Sequence, residues 1–131
     1  MSNIEIVEHI YAAFAAQDLE ALTELIDEEC VLVQDASLPW GGRHVGLEGL
    51  AVFAGALTGA IASQVLIETL FEADGRVYQV GRTQGTTHAT GTPFDIPEVH
   101  VWTIRDGKAV AAEFAIDTAA MLRALGGEPT G

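Results

Sequence analysis

The chain has 131 residues, which suits one compact domain and gives no reason to expect a second. It carries 19 acidic and 6 basic side chains, so its formal net charge of −13 disfavours binding to nucleic acid and to anionic membrane surfaces. Hydrophobic residues make up 49% of the chain, a composition that excludes an intrinsically disordered protein.

The N-terminal segment predicts two helices followed by a short strand. Ser2 and Glu5 have the spacing of a capping box, and apolar residues then recur along one helical face at Ile4, Val7, Ile10, Tyr11 and Phe14. Asp18 is a suitable N-cap for a second helix, whose inner face would carry Leu19, Leu22, Leu25 and Ile26. Three acids at 27–29 oppose a helix dipole, so we expect a turn there and a strand over 30–33.

The middle of the chain predicts a loop and a third helix. Residues 36–46 contain a proline and three glycines, which favour a loop. The helix is expected over about 46–60 and overlaps the longest apolar stretch, residues 50–62. That stretch is shorter than the roughly 20 residues of a membrane span, so it predicts a buried helix.

The remaining sequence predicts four long strands and a terminal helix. Asp-Gly pairs at 74–75 and 106–107, together with Thr-Gly at 90–91, are typical of tight turns between antiparallel strands. The strands are expected over 64–73, 76–89, 93–105 and 108–116. Gly81 and Gly85 interrupt the second of these strands and predict bulges or bends that curve the sheet.

The order of elements predicts an α+β fold. We expect a cone-shaped, strongly curved antiparallel sheet, packed on one face by the N-terminal helices and followed by a short C-terminal helix that Asp117 or Thr118 caps. A single domain would cover 1–131, with its core at about 3–125 and a flexible tail at 126–131. Such a cone encloses an interior cavity.

Several strings of the sequence resemble the SnoaL-like family of the nuclear transport factor 2-like, or ketosteroid isomerase-like, superfamily. The resemblance is carried by residues 11–22, by 90–95, by 100–108 and by Asp117-Thr118, and it extends over about 3–125. It implies the cone fold. It does not select an activity, because this fold serves isomerases, polyketide cyclases, hydrolases and non-catalytic binding domains.

The catalytic patterns of that superfamily are mostly absent or displaced. The three positions that ketosteroid isomerases use fall at Ile10, Gln34 and Val99, so that Tyr11 and Asp35 are each one residue away. One step along a strand turns a side chain to the other face. Steroid isomerisation by that mechanism is therefore not expected.

The cyclase and hydrolase patterns lack an acid on the last strand. His100 matches the histidine of SnoaL-type cyclases, but Phe114 stands where their aspartate is expected, and Glu113 should face the other way. The limonene epoxide hydrolase pattern lacks the same acid, and Arg82 alone does not rebuild it. An epoxide hydrolase would require Glu113 to face inward.

Three residues are candidates for catalysis, each with an ordinary structural alternative. His100 is a candidate base, because an unperturbed imidazole titrates near pH 6.5, but it is equally compatible with a packed strand histidine. Asp35 is a second candidate base or else a turn residue before Ser37. Tyr11 is a candidate hydrogen-bond donor or else part of the core of helix 1.

The ligand-binding wall is predicted from aromatic and aliphatic residues that should face the cavity. The wall would be formed by Phe14, Phe53, Leu57, Trp102 and Phe114. Trp40 and His44 are expected in the loop that rims the mouth, unless that loop is an ordinary surface loop.

The sequence thus predicts a homodimer that binds a small, mainly apolar molecule, with cofactor-free isomerase- or cyclase-like chemistry if it is an enzyme. The alternative is a non-catalytic ligand-binding, dimerisation or interaction domain of the same fold. Zinc and nucleotide motifs are missing, so we expect neither a metal nor a cofactor. One cysteine and no visible secretion signal predict a cytoplasmic protein.

Overall fold

A six-stranded curved sheet and four helices form the α+β fold in the computed structural model, which describes residues 1–130. The strand order is β2-β1-β6-β5-β4-β3, and the sheet is not closed into a barrel. In chain order the elements are α1 Asn3–Ala16, α2 Leu19–Leu25, β1 Ile26–Gln34, β2 Gly42–Val45, α3 Gly46–Ala60, β3 Ile61–Ala73, β4 Arg76–Thr87, β5 Pro93–Arg105, β6 Lys108–Ile116 and α4 Thr118–Leu125.

Three helices begin at side chains that the sequence identifies as caps. Ser2 Oγ accepts a 3.1 Å hydrogen bond from the Glu5 amide while Glu5 accepts one from the Ser2 amide, so the predicted capping box of α1 is confirmed. Asp18 accepts from the amide of Ala21 and Asp117 from that of Ala120, and these bonds begin α2 and α4. Local side-chain chemistry therefore fixes the start of each of these helices.

The predicted boundary between α2 and β1 is wrong. The helix ends at Leu25, and the strand begins at Ile26, so the acids at 27–29 lie in a strand rather than in a turn. Ile26 is buried and pairs with Ala109 of β6, whereas Glu28 and Glu29 are exposed. Burial of Ile26 against β6 thus outweighs the low strand propensity of the acids. Leu19, predicted on the inner face of α2, is 62% exposed.

Two features of β1 and β2 do not follow from the local sequence signals. The segment predicted as a loop contains β2, which pairs antiparallel with β1 from Val31 opposite Val45 to Gln34 opposite Gly42. On its other side β1 pairs parallel with β6. The two strands extend the meander of four long strands, whose antiparallel order is as predicted.

Two glycines of β4 allow close backbone contacts with β3. A Cβ atom at Gly81 would lie 2.1 Å from the carbonyl oxygen of Leu66, and one at Gly85 would lie 1.9 Å from that of Ala62. The pairing register shifts between Ile67 and Thr69, opposite Gly81. The predicted irregularity is confirmed at Gly81, where it allows the sheet to bend around the interior.

The helices pack against one face of the sheet, and the core lies between them. Its buried residues include Val7 and Ile10 of α1, Phe53 of α3 and Met121 of α4. After α4 the chain stays in contact with the sheet, where Thr130 Oγ1 accepts a hydrogen bond from the amide of Asp95. Within residues 1–130, none of the helices combines the length and the apolar character needed to cross a membrane.

Candidate functional site

A cavity of about 800 Å³ lies between the concave face of the sheet and the helices. Most of the residues predicted from the sequence line it. They are Tyr11, Phe14, Trp40, Phe53, Leu57, His100, Trp102 and Phe114. Asp35 and His44, which were also predicted, do not belong to the lining.

The mouth of the cavity is marked by the lining residues that are exposed to solvent. The polar ones among them come from the C-terminal ends of α1 and α3, the start of β3 and the end of β4, namely Gln17, Thr58, Ser63, Gln64 and His88. His88 Nε2 lies 2.9 Å from the carbonyl oxygen of Thr58 and ties two of these segments together. We refer to these five residues as the mouth.

Trp40 lies in the buried wall of the cavity, so its predicted place at the mouth is wrong. The side chain is only 2% exposed, and its indole Nε1 donates a 3.0 Å hydrogen bond to Gln34 Oε1. The hydrogen bond satisfies the indole N–H, which allows the ring to be buried. His44 holds the same loop from outside the cavity, with Nε2 3.0 Å from the Trp40 carbonyl oxygen and the ring against Phe53.

Asp35 is a turn residue in the structure. Its carboxylate accepts hydrogen bonds from the amide and the hydroxyl of Ser37, at 2.9 and 2.5 Å. These bonds hold the pKa of Asp35 below its ordinary value and keep the carboxylate ionised. The neighbouring residue Gln34 lines the cavity instead, as strand alternation predicts.

The apolar wall is a cluster of aromatic rings around Phe114. The ring centroid of Phe114 lies 4.7 Å from that of His100, 5.4 Å from Phe53 and 5.5 Å from Trp102. Phe114 is also directly opposite His100 in the pairing of β5 with β6. The position at which SnoaL-type cyclases carry an acid is therefore part of an aromatic wall.

A chain of hydrogen bonds joins helix α1 to strand β5 inside this wall. Trp102 Nε1 donates to Tyr11 Oη at 2.9 Å, and Tyr11 Oη lies 2.6 Å from His100 Nδ1. The rings of Tyr11 and His100 are stacked with their centroids 5.9 Å apart. Two of the predicted catalytic residues, Tyr11 and His100, are thus brought into direct contact.

Glu98 adds a buried carboxyl group to this chain. Its side chain is 1% exposed; Oε1 lies 3.4 Å from His100 Nε2, and Oε2 accepts a 2.5 Å hydrogen bond from Gln79 Nε2. Burial raises the pKa of Glu98 to about 7, although the bond from Gln79 acts in the opposite direction. A carboxyl group with this pKa can both accept and release a proton near neutral pH.

Burial acts in the opposite direction on the histidine. It lowers the pKa of His100 well below the ordinary value of 6.5, so the imidazole is neutral near pH 7. Burial also raises the pKa of Tyr11, which keeps its phenol protonated. The cluster of Tyr11, Gln79, Glu98 and His100 therefore contains one group that titrates near neutral pH, the carboxyl of Glu98.

Glu98 was missed as a site residue, although the sequence contained a signal for it. Along β5 every second residue is buried, and Glu98 lies in phase with His100 and Trp102. An acid in phase with the core residues of a strand is unusual, because a buried charge is costly. The resemblance places an acid at Val99 and at Phe114 instead, and Val99 faces the opposite side of the sheet.

The last-strand acid required for an epoxide hydrolase is not in the cavity. Glu113 is exposed, and it pairs with Val101 and Val33 on the convex side of the sheet. Within residues 1–130, the side chains of histidine, cysteine, aspartate and glutamate form no group of three or more that could hold a metal ion.

Comparisons with known proteins agree with this fold. The SnoaL-like domain family matches residues 7–112, and no curated protein sequence matches the chain. A nuclear transport factor 2-like protein of unknown function from Burkholderia pseudomallei is 25% identical, with a TM-score of 0.87 over 95% of this chain and 98% of its own.

Two further solved structures are similar over most of their length. TerC, which was co-crystallised with polyporic acid, is 26% identical with a TM-score of 0.86, covering 95% of this chain and 98% of its own. A putative SnoaL-like polyketide cyclase from Jannaschia is 20% identical with a TM-score of 0.84, covering 97% and 93%, and this likeness shows the fold alone.

Proposed function

The chain belongs to the SnoaL-like domain family, and from this premise we propose that its cavity binds a small, mainly apolar molecule and catalyses a cofactor-free proton transfer of the isomerase or cyclase kind. The observation that carries the proposal is the position of Glu98, His100 and Tyr11 in an aromatic wall. Convergent polar groups with shifted pKa values in an apolar pocket are typical of active sites.

The size and the lining of the cavity support a neutral organic ligand. About 800 Å³ is within the usual range of pockets that bury a small organic molecule. Among the described residues the lining has Glu98 as its carboxyl group and contains neither lysine nor arginine. An anionic ligand would meet no countercharge there, and the net charge of −13 would repel it further.

Ligand binding can be measured by intrinsic fluorescence, because both tryptophans of the chain, Trp40 and Trp102, line the cavity. We expect 2-acetylnaphthalene, a neutral apolar ketone, to change the emission saturably, and the matched anion 2-naphthoate to bind at least tenfold more weakly. Leu57→Phe, which reduces the cavity, should weaken binding. Val52→Phe on the exposed side of the same helix should leave it unchanged.

Proton transfer can be measured by NMR as deuterium uptake next to the carbonyl of 2-tetralone, a neutral enolisable ketone. We expect the protein to accelerate this uptake and Glu98→Gln to remove the acceleration. Glu113→Gln is the matched control, because Glu113 lies on the neighbouring strand but faces outward. Saturable binding of ketones without accelerated uptake would favour a non-catalytic binding domain.

A second candidate function, dimerisation through the sheet, is supported by the convex face. Exposed apolar side chains share this face on four strands, namely Val33, Leu66, Phe71, Val80 and Val99. Val80 pairs with Val99, and Val99 with Ala115, so part of this surface is one continuous row. We propose that a second copy of the chain covers it. Light scattering should then give twice the monomer mass at micromolar concentration.

A further inference from the structure

The direction of the hydrogen bonds in the cluster leads to a division of roles within the proposed function, on which it rests. We infer that His100 meets the ligand as an N–H donor through Nε2, whereas Glu98 is the group that exchanges the proton. Trp102 and Tyr11 are then positioning residues, because they determine which nitrogen of His100 carries its proton.

The first step concerns the proton of Tyr11. The indole Nε1 of Trp102 is always a donor, so Tyr11 Oη accepts that hydrogen bond. The hydroxyl retains one proton to donate, and His100 Nδ1 lies 2.6 Å away. Because the phenol has a raised pKa, it keeps this proton, and we assign Nδ1 as the acceptor that it meets.

The second step concerns the tautomer of His100. A second donor, Gln79 Nε2, also approaches Nδ1, at 3.4 Å. Two donors directed at Nδ1 require that nitrogen to be unprotonated, so the proton of the neutral imidazole resides on Nε2. This conclusion changes the role predicted from the sequence, because a histidine whose only lone pair is engaged with Tyr11 cannot act as a base.

The third step concerns what Nε2–H can do. His100 lines the cavity, and its side chain is 10% exposed, so a ligand can approach it. Glu98 Oε1 lies 3.4 Å from Nε2, which is long for a hydrogen bond between such groups. A carbonyl oxygen of a ligand could therefore accept from Nε2, and a neutral imidazole donates without releasing its proton.

The fourth step assigns the proton transfer. The ionised Glu98 carboxylate removes a proton from the carbon next to the ligand carbonyl: the C–H bond breaks, an O–H bond forms on Glu98, and the electron pair stays on the ligand. The oxygen that gains charge is held by His100 Nε2–H. Return of the proton from Glu98 to another carbon restores the carboxylate, so the step needs no co-reactant.

The tautomer can be tested on the free protein, before any ligand is identified. Long-range 1H–15N correlation spectra of the uniformly labelled protein, with His100 assigned by its loss in His100→Gln, should show a protonated Nε2 and an unprotonated Nδ1 from pH 6 to 8. A protonated Nδ1, or titration of His100 within this range, would overturn the assigned role of His100.

The positioning roles of Trp102 and Tyr11 are tested by the tautomer of His100, which a general loss of structure would not change in the way expected here. Trp102→Phe frees Tyr11 from its donor, so the imidazole of His100 should populate both tautomers, and deuterium uptake by 2-tetralone should fall about tenfold. Tyr11→Phe should have the same two effects through loss of the donor to Nδ1. A single unchanged tautomer in both variants would contradict the positioning role.

The role of Glu98 is separated from that of His100 by Glu98→Gln. We expect this variant to keep the Nε2–H tautomer and to lose at least 100-fold in deuterium uptake. Uptake that survives in Glu98→Gln and disappears in His100→Gln would return the role of base to the histidine. If the unmodified protein catalyses no uptake, the proposed function fails, while the spectra still decide the tautomer of His100.

Discussion

Strand β5 reverses the ordinary distribution of polar and apolar residues at its middle, residues 98–100. Its concave face buries an acid and a histidine, Glu98 and His100, whereas its convex face exposes Val99. A strand at the surface of a soluble domain normally buries apolar residues and exposes polar ones. Both departures are costly: the first in desolvation of polar groups, the second in apolar surface left in water.

The comparison indicates that the side chains at 98–100 serve a role other than stabilising the fold. The cost on the concave face is consistent with chemistry in the cavity, and the cost on the convex face with a protein partner. These assignments predict that polar and apolar substitutions have opposite consequences on the two faces. Four predictions test this contrast, in order of decreasing effect.

The largest effect is expected from a second acid in the aromatic wall. Phe114→Asp removes the ring in contact with His100, Phe53 and Trp102 and places a carboxylate beside Glu98, so the free energy of unfolding should fall by about 3 to 5 kcal/mol. Ala115→Asp, one residue further and exposed, should change the free energy of unfolding of the monomer by less than about 0.5 kcal/mol. Urea titrations that give equal losses would contradict the contrast.

The next effect concerns the glycine that allows Gln79 to be buried. A Cβ atom at Gly81 would lie 2.3 Å from Gln79 Oε1 and 2.1 Å from the Leu66 carbonyl oxygen, so Gly81→Ala should cost about 2 kcal/mol or more in unfolding free energy. Gly55→Ala, in the exposed interior of α3, meets no atom within 4 Å and should stabilise by about 0.5 to 1 kcal/mol.

The third effect is a pH dependence produced by Glu98. Because its pKa is raised from 4.5 unfolded to about 7 folded, its contribution to stability is fully present below pH 4.5 and is lost as the pH rises through 7. Glu98→Gln should therefore gain about 1 to 3 kcal/mol relative to the unmodified protein between pH 5 and pH 8. The pKa of His100 is lowered, so its contribution to stability changes only below pH 6.5. Both proteins contain His100, so this contribution is common to them.

Denaturation of the two proteins at a series of pH values gives this difference directly. A difference that is constant from pH 5 to pH 8 would show that the carboxyl of Glu98 does not titrate in this range. Glu113→Gln should show no pH-dependent difference, because Glu113 is exposed.

The smallest effect on monomer stability is expected on the convex face. Val99→Lys should change the free energy of unfolding of the monomer by less than about 0.5 kcal/mol, since Val99 is 38% exposed. It should nevertheless lower the mass observed by light scattering from dimer to monomer. Val52→Lys, exposed on α3 away from the sheet, is the control and should leave the mass unchanged.

The sequence predicted those parts of the fold that depend on neighbouring residues. The caps at Ser2, Asp18 and Asp117 and the turns between the long strands are local, and each is confirmed. The start of β1 at Ile26 depends on β6, far away in the chain, so local propensity placed it wrongly. Parallel pairing of these strands leaves no local signal at all.

For the site, alternation along β5 put His100 on the same face as Trp102 but left open whether His100 has a pocket role. In the structure both residues line the cavity together with Phe114. Alternation could not place Trp40, because the burial of that indole depends on the amide of Gln34 accepting its N–H. Glu98 was accessible to the same alternation argument and was overlooked. The burial pattern of a strand was thus a better guide than the positions suggested by resemblance.

The parallel pairing of β1 with β6 has a consequence for folding kinetics. Gln34 lies opposite Phe114, more than half the length of the chain away, so this side of the cavity forms only through a contact with a high loop-closure entropy. During synthesis on a ribosome, the hairpins of β3, β4 and β5 can form first, while β1 must wait for β6 to emerge. The nascent chain therefore acquires this cavity only after β6 has emerged.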